Sequence, residues 1–378
     1  MWSAKYFARI DFRVVIIALL LNFAGLLTIA SFSSSLLAGD GDDNIWTKVV
    51  LTQLQWLGIS WILFFFAAGI DYRKLREWVW VLYVLVVIAL VGLFFTDSVV
   101  RVHRWYRLPF LGHAAQPSEW AKIAMVLALS WFLERQSRES RSFLTFVGSM
   151  GIVAIPFLLI VKQPDLGTAL VLFPTACTMF YFGDINPKAL AILTGGGVVA
   201  LVVVGFIFSG ILPYEKVQPY AQYVLREYQY ERLNPNTHHA QAAQTAIALG
   251  GVSGVGWRQS EYWRGGSLPA PYTDSIFPSF GEEFGMVGLA SVLLLYYALI
   301  FCCLQTVAVA KDAFGRLLSA GIAVMLAFHV AINIGMMTGC LPITGVPLVL
   351  MSYGGSSMTA TMAALGLIQS VYSRRFMF

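Results

Sequence analysis

The chain has 378 residues, of which 58% are hydrophobic and 12% are charged, and its formal net charge is +5. Soluble domains carry about 25% charged residues, so the composition excludes an ordinary soluble protein and indicates an integral membrane protein. The small positive charge does not indicate nucleic-acid binding, because most basic residues lie in short segments between apolar runs, where they report topology.

About ten apolar runs, each able to cross a bilayer, follow one another along the chain. The first has no cleavage site and is predicted to be a retained span. The runs lie at 14–30, 49–69, 78–95, 118–133, 143–161, 168–182, 189–211, 275–306, 317–337 and 358–371. They predict an all-α polytopic membrane protein with a single domain over residues 1–378, and a large loop at 212–272 between the seventh and eighth spans.

The basic residues predict which way the chain faces. Of the 25 Lys and Arg residues, 14 lie on the side of both termini, ten lie on the other side and Lys122 lies inside a span. Because positive loops stay in the cytoplasm, both termini are predicted to be cytoplasmic. The 212–272 loop then faces outward.

Asp274 lies where the large loop re-enters the apolar region, and Glu282 follows within the eighth run. Ionisable groups at this depth are costly and mark candidate functional sites. Asp is also a favoured N-cap, so Asp274 has a second interpretation as the cap of a helix beginning at Ser275. Position alone does not decide between the two.

Polar residues at two further places in the chain each have two possible interpretations. Glu119 and Lys122 are three residues apart and share a helix face, so they predict either a structural ion pair or the polar lining of a cavity that opens outward. Asp165 lies in a Pro- and Gly-containing turn between two spans. It either caps the sixth span or faces a water-filled cavity.

Arg104 belongs to a loop that combines arginines with aromatic residues. It predicts either an interfacial belt with snorkelling arginines or a clamp for an anionic headgroup. His329 and Asn333, four residues apart, predict hydrogen bonds between helices. The Pro- and Gly-rich stretch 341–357 predicts an irregular segment packed inside the protein.

Several segments together resemble the RodA/FtsW (SEDS) family of cell-wall proteins, and the resemblance covers nearly the whole chain. They are Asn333-Ile-Gly-Met, Leu341-Pro-Ile-Thr-Gly-Val-Pro-Leu, Ser352-Tyr-Gly-Gly-Ser-Ser, Gln163-Pro-Asp-Leu-Gly-Thr, Gln116-Pro-Ser-Glu-Trp-Ala-Lys, Arg104-Trp105, Ile70-Asp-Tyr-Arg, Thr273-Asp274 and Glu282-Glu283-Phe-Gly. The resemblance implies an inverting peptidoglycan glycosyltransferase in the bacterial cytoplasmic (inner) membrane. Its substrate is lipid II, an undecaprenyl-diphosphate-linked disaccharide-pentapeptide, and its partner is a class B penicillin-binding protein.

In this family reading Asp274 is the catalytic aspartate and acts as general base, while Glu119 and Lys122 are the paired residues of the fourth span. Arg104, Lys122 or a divalent cation, Mg²⁺ or Mn²⁺, supplies charge to the leaving diphosphate. The short tails and compact loop favour an elongation-type RodA over a division-type FtsW. Two other functions fit broken helices and buried charge, namely a flippase for lipid-linked precursors and a non-catalytic scaffold.

The chain departs from the family pattern beside Asp274. Ala270 stands where a glutamate is usual, Tyr272 where a histidine is usual, and Thr245 where a serine is usual. The changes at Ala270 and Tyr272 predict fewer neighbours of Asp274 that titrate near neutral pH than in a typical member. We therefore expect the acid limb of the pH–rate profile to report one group.

Overall fold

A computed structural model describes residues 4–37, 45–96, 104–108, 113–137, 140–224, 227–263 and 265–376. This part of the chain is almost entirely helical, which confirms the predicted class. One departure is a small antiparallel hairpin of β1 (Tyr106–Leu108) and β2 (His113–Ala115).

Each predicted span corresponds to one long helix. These are α1 (Phe12–Leu37), α2 (Lys48–Gly69), α3 (Leu75–Gly92), α4 (Pro117–Arg135), α5 (Phe143–Lys162), α6 (Leu166–Phe182), α7 (Pro187–Phe208), α11 (Ile276–Val309), α12 (Ala313–Met337) and α13 (Gly355–Ser373). Seven of them are long and apolar enough to cross a membrane, whereas α6 is shorter and α4 and α13 do not qualify. The count of ten spans therefore stays a prediction.

The bundle is arranged around α12, which packs against α4, α6, α11 and α13. In its most apolar window 72% of α12 is buried, compared with 6% for α7, which lies at the periphery beside α6. A helix that is apolar all round either lies in a protein core or faces lipid. α12 lies in the core, and its polar residues His329 and Asn333 are buried there. α7 is apolar and little buried, so it is suited to face lipid.

One end of the bundle brings together the two chain ends and two helix turns. The backbone N–H of Asp11 donates to the side chain of Gln369 at 2.7 Å. Arg76, in the first turn of α3, forms ion pairs with Glu134 at the end of α4 and with Asp312 between α11 and α12. These segments lie on the same side in the predicted topology, and the structure places them together.

The predicted loop 212–272 contains three helices of its own, which sequence analysis did not predict. They are α8 (Tyr214–Val224), α9 (Glu227–Glu231) and α10 (His238–Gly250). α10 packs against α11, so this loop is tied to the membrane domain by a helix face.

α11 is broken at Gly285, where φ is 65° and ψ is −166°. Only glycine adopts this backbone region readily. The segment after α10 runs along the break and pairs with its backbone. The hydrogen bonds run from Val255 N–H to the Glu282 carbonyl (2.9 Å), Gly256 N–H to Glu283 (3.0 Å), Met286 N–H to Gly251 (2.9 Å) and Val287 N–H to Val252 (3.2 Å). The segment thus supplies partners to the backbone groups on both sides of the break.

Replacement of Gly285 by alanine should destabilise the protein. An added Cβ would lie 2.3 Å from the backbone nitrogen of Gly254, and the backbone conformation alone costs about 1–3 kcal/mol for another residue. The melting temperature of the purified protein should fall clearly. The matched control is Gly205→Ala in α7, where an added Cβ meets nothing within 4 Å. Equal melting temperatures for the two variants would contradict the prediction.

Candidate active site

Asp274 lies just before α11, at the end of the bundle opposite the chain ends. The N-cap of α11 is Ser275, and no side chain caps the helix, so the capping interpretation of Asp274 is wrong. The Asp274 backbone carbonyl accepts a hydrogen bond from the Asn333 side chain at 2.9 Å. Its carboxylate lies 3.3 Å from where a Cβ of Gly345 would be. Within the described part of the chain that carboxylate accepts no hydrogen bond, so it is available to a ligand.

Asp274 lies close enough to Arg104, Arg232 and Asp165 for their charges to act on its carboxylate. Burial raises the pKa of Asp274; Arg232 and then Arg104 oppose that shift, and Asp165 adds to it. Arg104 donates to the backbone carbonyls of Gln163, at 3.0 Å, and Pro164. Arg232 donates to the Thr344 carbonyl at 2.9 Å. Backbone carbonyls orient the Arg104 guanidinium without cancelling its charge, so Arg104 is suited to bind an anion.

The hairpin positions Arg104. Tyr106, in β1, donates its hydroxyl to the Ala89 carbonyl of α3 at 2.7 Å, and the strand pairs with β2 directly before α4. Arg104, just before β1, is thereby held beside the turn between α5 and α6. Of the two predicted roles of Arg104, this position favours the anion clamp over an interfacial belt.

Asp165 is the N-cap of α6 and accepts hydrogen bonds from Thr168, through both N–H (3.3 Å) and hydroxyl (3.0 Å). Its second oxygen also accepts from Gln116 (3.0 Å) and Ser118 (3.1 Å) at the start of α4. The capping interpretation is confirmed. Asp165 joins α4 to α6 and contributes negative charge beside Asp274, but its carboxylate is already engaged.

Glu119 and Lys122 form the predicted ion pair, with Lys122 Nζ 2.9 Å from Glu119 Oε1. Lys122 Nζ also lies 2.8 Å from His329 Nε2 on α12. All three side chains are buried. The predicted hydrogen bond between helices is present for His329, which contacts Lys122 of α4. For Asn333 the prediction is wrong, because its side chain donates to the carbonyls of Asp274 and Val346, which lie outside the helices.

Glu282 does not join this cluster. It is buried at the break in α11 and accepts a hydrogen bond from the Ser260 hydroxyl, and it lines a separate pocket with Gln259, Glu261 and Tyr262. The reason is the segment after α10, which covers this side of α11 and is held to it by backbone pairing. Glu282 and Asp274 lie near the same helix start in the sequence, which is why the sequence pattern predicts a shared site for them.

Two nearby residues were not predicted as site residues. Arg232 is one of several basic residues in a polar loop, and nothing in its sequence context distinguishes it from the others. His239 lies in the same loop, and its Nε2 lies 2.7 Å from the Ser275 hydroxyl. Burial lowers the pKa of His239, with a smaller contribution from His238. Only the tertiary fold brings these loop residues to Asp274.

The described residues contain no group of three or more His, Cys, Asp or Glu side chains suited to hold a metal ion. Mg²⁺ is often bound by one or two carboxylates together with substrate phosphates. Asp274 is the available carboxylate here, since Asp165 is engaged by its own hydrogen bonds. The divalent cation stays a prediction that would need substrate oxygens as further ligands.

Comparison with known proteins gives a consistent result. The family described as cell cycle protein, FtsW/RodA/SpoVE, matches residues 12–375. Stage V sporulation protein E of Bacillus subtilis is 34% identical over 96% of this chain and 98% of its own length. Peptidoglycan glycosyltransferase MrdB of Escherichia coli is 32% identical over 82% of each chain.

Solved structures share the fold over the full chain. A chain from a peptidoglycan synthase complex that coordinates polymerization and crosslinking superposes with a TM-score of 0.73, at 25% identity, covering 98% of this chain and 99% of that chain. The rod shape determining protein RodA of Thermus thermophilus gives a TM-score of 0.69 at 24% identity, covering 98% of each chain. The arrangement of helices around Asp274 is thus that of a known membrane fold.

Proposed function

Because this chain belongs to the FtsW/RodA/SpoVE family of cell cycle proteins, we infer that it is a multi-pass membrane enzyme, a peptidoglycan glycosyltransferase. We propose that its substrate is lipid II. The observation that carries the proposal is the partly buried Asp274 carboxylate, free of hydrogen bonds within the described residues and close to two arginines.

The proposed reaction is a single inverting displacement. Asp274 accepts the proton of the acceptor sugar hydroxyl, whose oxygen attacks the anomeric carbon of the donor. The bond from that carbon to the diphosphate oxygen breaks, and undecaprenyl diphosphate leaves with the electron pair. A diphosphate leaving group needs charge stabilisation rather than a protonating acid, so one carboxylate is sufficient.

Arg104, Arg232 and Lys122 supply positive charge for the leaving diphosphate. Arginine forks match phosphate oxygens in pairs, and a buried ammonium interacts strongly because the local dielectric constant is low. A divalent cation, when bound at Asp274, would neutralise further charge on the same oxygens.

The direct test is turnover of labelled lipid II by the purified protein in detergent, read as polymer on a gel. We expect glycan strands to form without any other enzyme. Movement of lipid II across vesicle membranes without polymer would instead support the flippase alternative. Neither polymer nor movement would support the scaffold alternative.

The partner proposed for this enzyme is a class B penicillin-binding protein, which crosslinks the product. The support is structural likeness to a chain from a complex that couples polymerization with crosslinking. We propose elongation as its cellular role, on the compact loop 212–272. Depletion of the protein in its host should then give rounded cells, whereas a division role would give filaments.

The topology can be checked with reporters. We propose that the enzyme lies in the bacterial cytoplasmic membrane with both termini inside and loop 212–272 outside. A reporter inserted after Asp184, between α6 and α7, should read cytoplasmic, and one inserted near Asn236 should read external. A cytoplasmic signal at Asn236 would remove Asp274 from the side on which glycan strands are made.

The pH dependence of turnover follows from the raised pKa of Asp274. A general base works only when deprotonated, so the rate should fall as pH falls through this pKa. Because burial outweighs the two arginines, the acid limb should lie above the ordinary aspartate range near 3.9. A limb that reports two groups would show that a second carboxylate shares the proton.

Ala270→Glu should be tolerated and tests whether position 270 senses the site. Ala270 is exposed, and its φ of 49° is already that of a left-handed residue. If the new carboxylate faces Asp274, like-charge repulsion should move the acid limb to higher pH. Superimposable pH–rate profiles for the two proteins would show that position 270 faces away.

A further inference from the structure

Lys122 is a buried cation shared between two helices. Its Nζ lies 2.9 Å from Glu119 Oε1 on its own helix and 2.8 Å from His329 Nε2 on α12. The side chains of Lys122, Glu119 and His329 are all at most 4% exposed. A buried charge needs both a counter-charge and hydrogen bonds, and here one partner comes from each helix.

The backbone of α12 fixes the protonation pattern of His329. Its Nδ1 lies 3.3 Å from the Met325 carbonyl, and a carbonyl can only accept. Nδ1 therefore carries the hydrogen. In a neutral imidazole the other nitrogen is then an acceptor, which suits the Lys122 ammonium. A second proton on the ring would place two cations 2.8 Å apart in a buried site, so His329 is neutral.

These two contacts determine how the ammonium group is oriented. A lysine ammonium has three N–H donors, and two of them point at acceptors held by different helices. The Nζ atom is therefore held in place relative to both helices, and the third N–H has one direction. Within the described residues this third N–H has no protein acceptor.

We propose that His329 is a positioning residue, which orients the Lys122 ammonium so that its third N–H meets the diphosphate of the lipid-linked substrate as charge develops. The proposal rests on the proposed function, since it assigns a target to Lys122. Glu119 lies on the same helix as Lys122 and cannot hold the ammonium relative to α12, so His329 provides that contact. The effect belongs to the transition state, since leaving-group charge is greatest there.

The test compares His329→Leu, which removes the acceptor, with His329→Gln, which keeps an acceptor oxygen. With labelled lipid II, we expect His329→Leu to lower kcat about tenfold or more, with KM within about twofold. His329→Gln should recover most of that loss. The matched control is Ser319→Ala, which removes a buried hydroxyl from the same helix that has no hydrogen-bond partner in the described structure. It should keep full kcat.

Two further measurements separate positioning from folding. The difference in kcat between His329→Leu and His329→Gln should not be matched by a difference in their melting temperatures. In a Glu119→Gln, Lys122→Leu background, His329→Leu should not lower the residual rate further, because its target is absent. Full kcat for His329→Leu, or equal losses for Leu and Gln, would overturn the positioning role. The proposed function would still stand if the parent protein makes polymer, and would fail with it if the parent makes none.

Discussion

Asp274→Asn should abolish polymerisation of lipid II while leaving the protein folded. Asparagine keeps the shape of the side chain, but it cannot accept the proton of the acceptor hydroxyl. The main-chain contact of Asp274 with Asn333 involves the backbone carbonyl, so the substitution does not remove it. We expect kcat to fall by a factor of about 10² to 10⁴, the usual contribution of general-base catalysis.

The control for this variant is Glu261→Gln, which neutralises an exposed carboxylate in the same loop. It should polymerise at the parent rate. The melting temperature of Asp274→Asn should equal or exceed that of the parent, because burial of the carboxylate raises its pKa and so opposes folding at neutral pH. Parent-level turnover by purified Asp274→Asn would exclude Asp274 as the general base.

Lys122→Leu should lose both stability and activity. It leaves the Glu119 carboxylate buried without its counter-charge, and removing one partner of a buried ion pair costs about 3–5 kcal/mol. Activity should fall further than stability explains, because the variant also lacks the charge proposed to stabilise the leaving diphosphate. The measurements are the melting temperature and turnover of lipid II.

The double variant Glu119→Leu, Lys122→Leu separates the two losses. Replacing a whole buried ion pair by apolar residues is often neutral or stabilising, so its melting temperature should return towards the parent value. Turnover should stay low, because the ammonium is still missing. Recovery of both stability and turnover would show that the pair serves folding alone.

The helices were predictable because lipid imposes one simple rule on them. Each apolar run must satisfy its own backbone hydrogen bonds, so runs such as 189–211 and 317–337 became α7 and α12 with ends shifted by only a few residues. The Glu119–Lys122 pair was predictable for a similar reason, since helical spacing alone places the two side chains together. Capping by Asp165 follows from a local preference as well.

The remaining site residues depend on contacts between distant parts of the chain. Arg232 reaches the Thr344 carbonyl from a loop more than a hundred residues earlier, and no local pattern marks it. Lys122 and His329 meet only because α4 packs against α12. Glu282 shows the opposite error, because proximity to Asp274 in sequence suggested a shared site. The break at Gly285 and the segment packed on it give Glu282 different neighbours.

The paired backbone around Gly285 also determines how this protein can be recombined with its relatives. Residues 251–256 and 282–287 exchange hydrogen bonds, so they form one unit although they lie on either side of the predicted boundary at residue 272. A chimera that exchanges only 212–272 would join a foreign segment to a native break and leave backbone groups unmatched. Crossover points beyond residue 287 would transfer both halves of the pairing together.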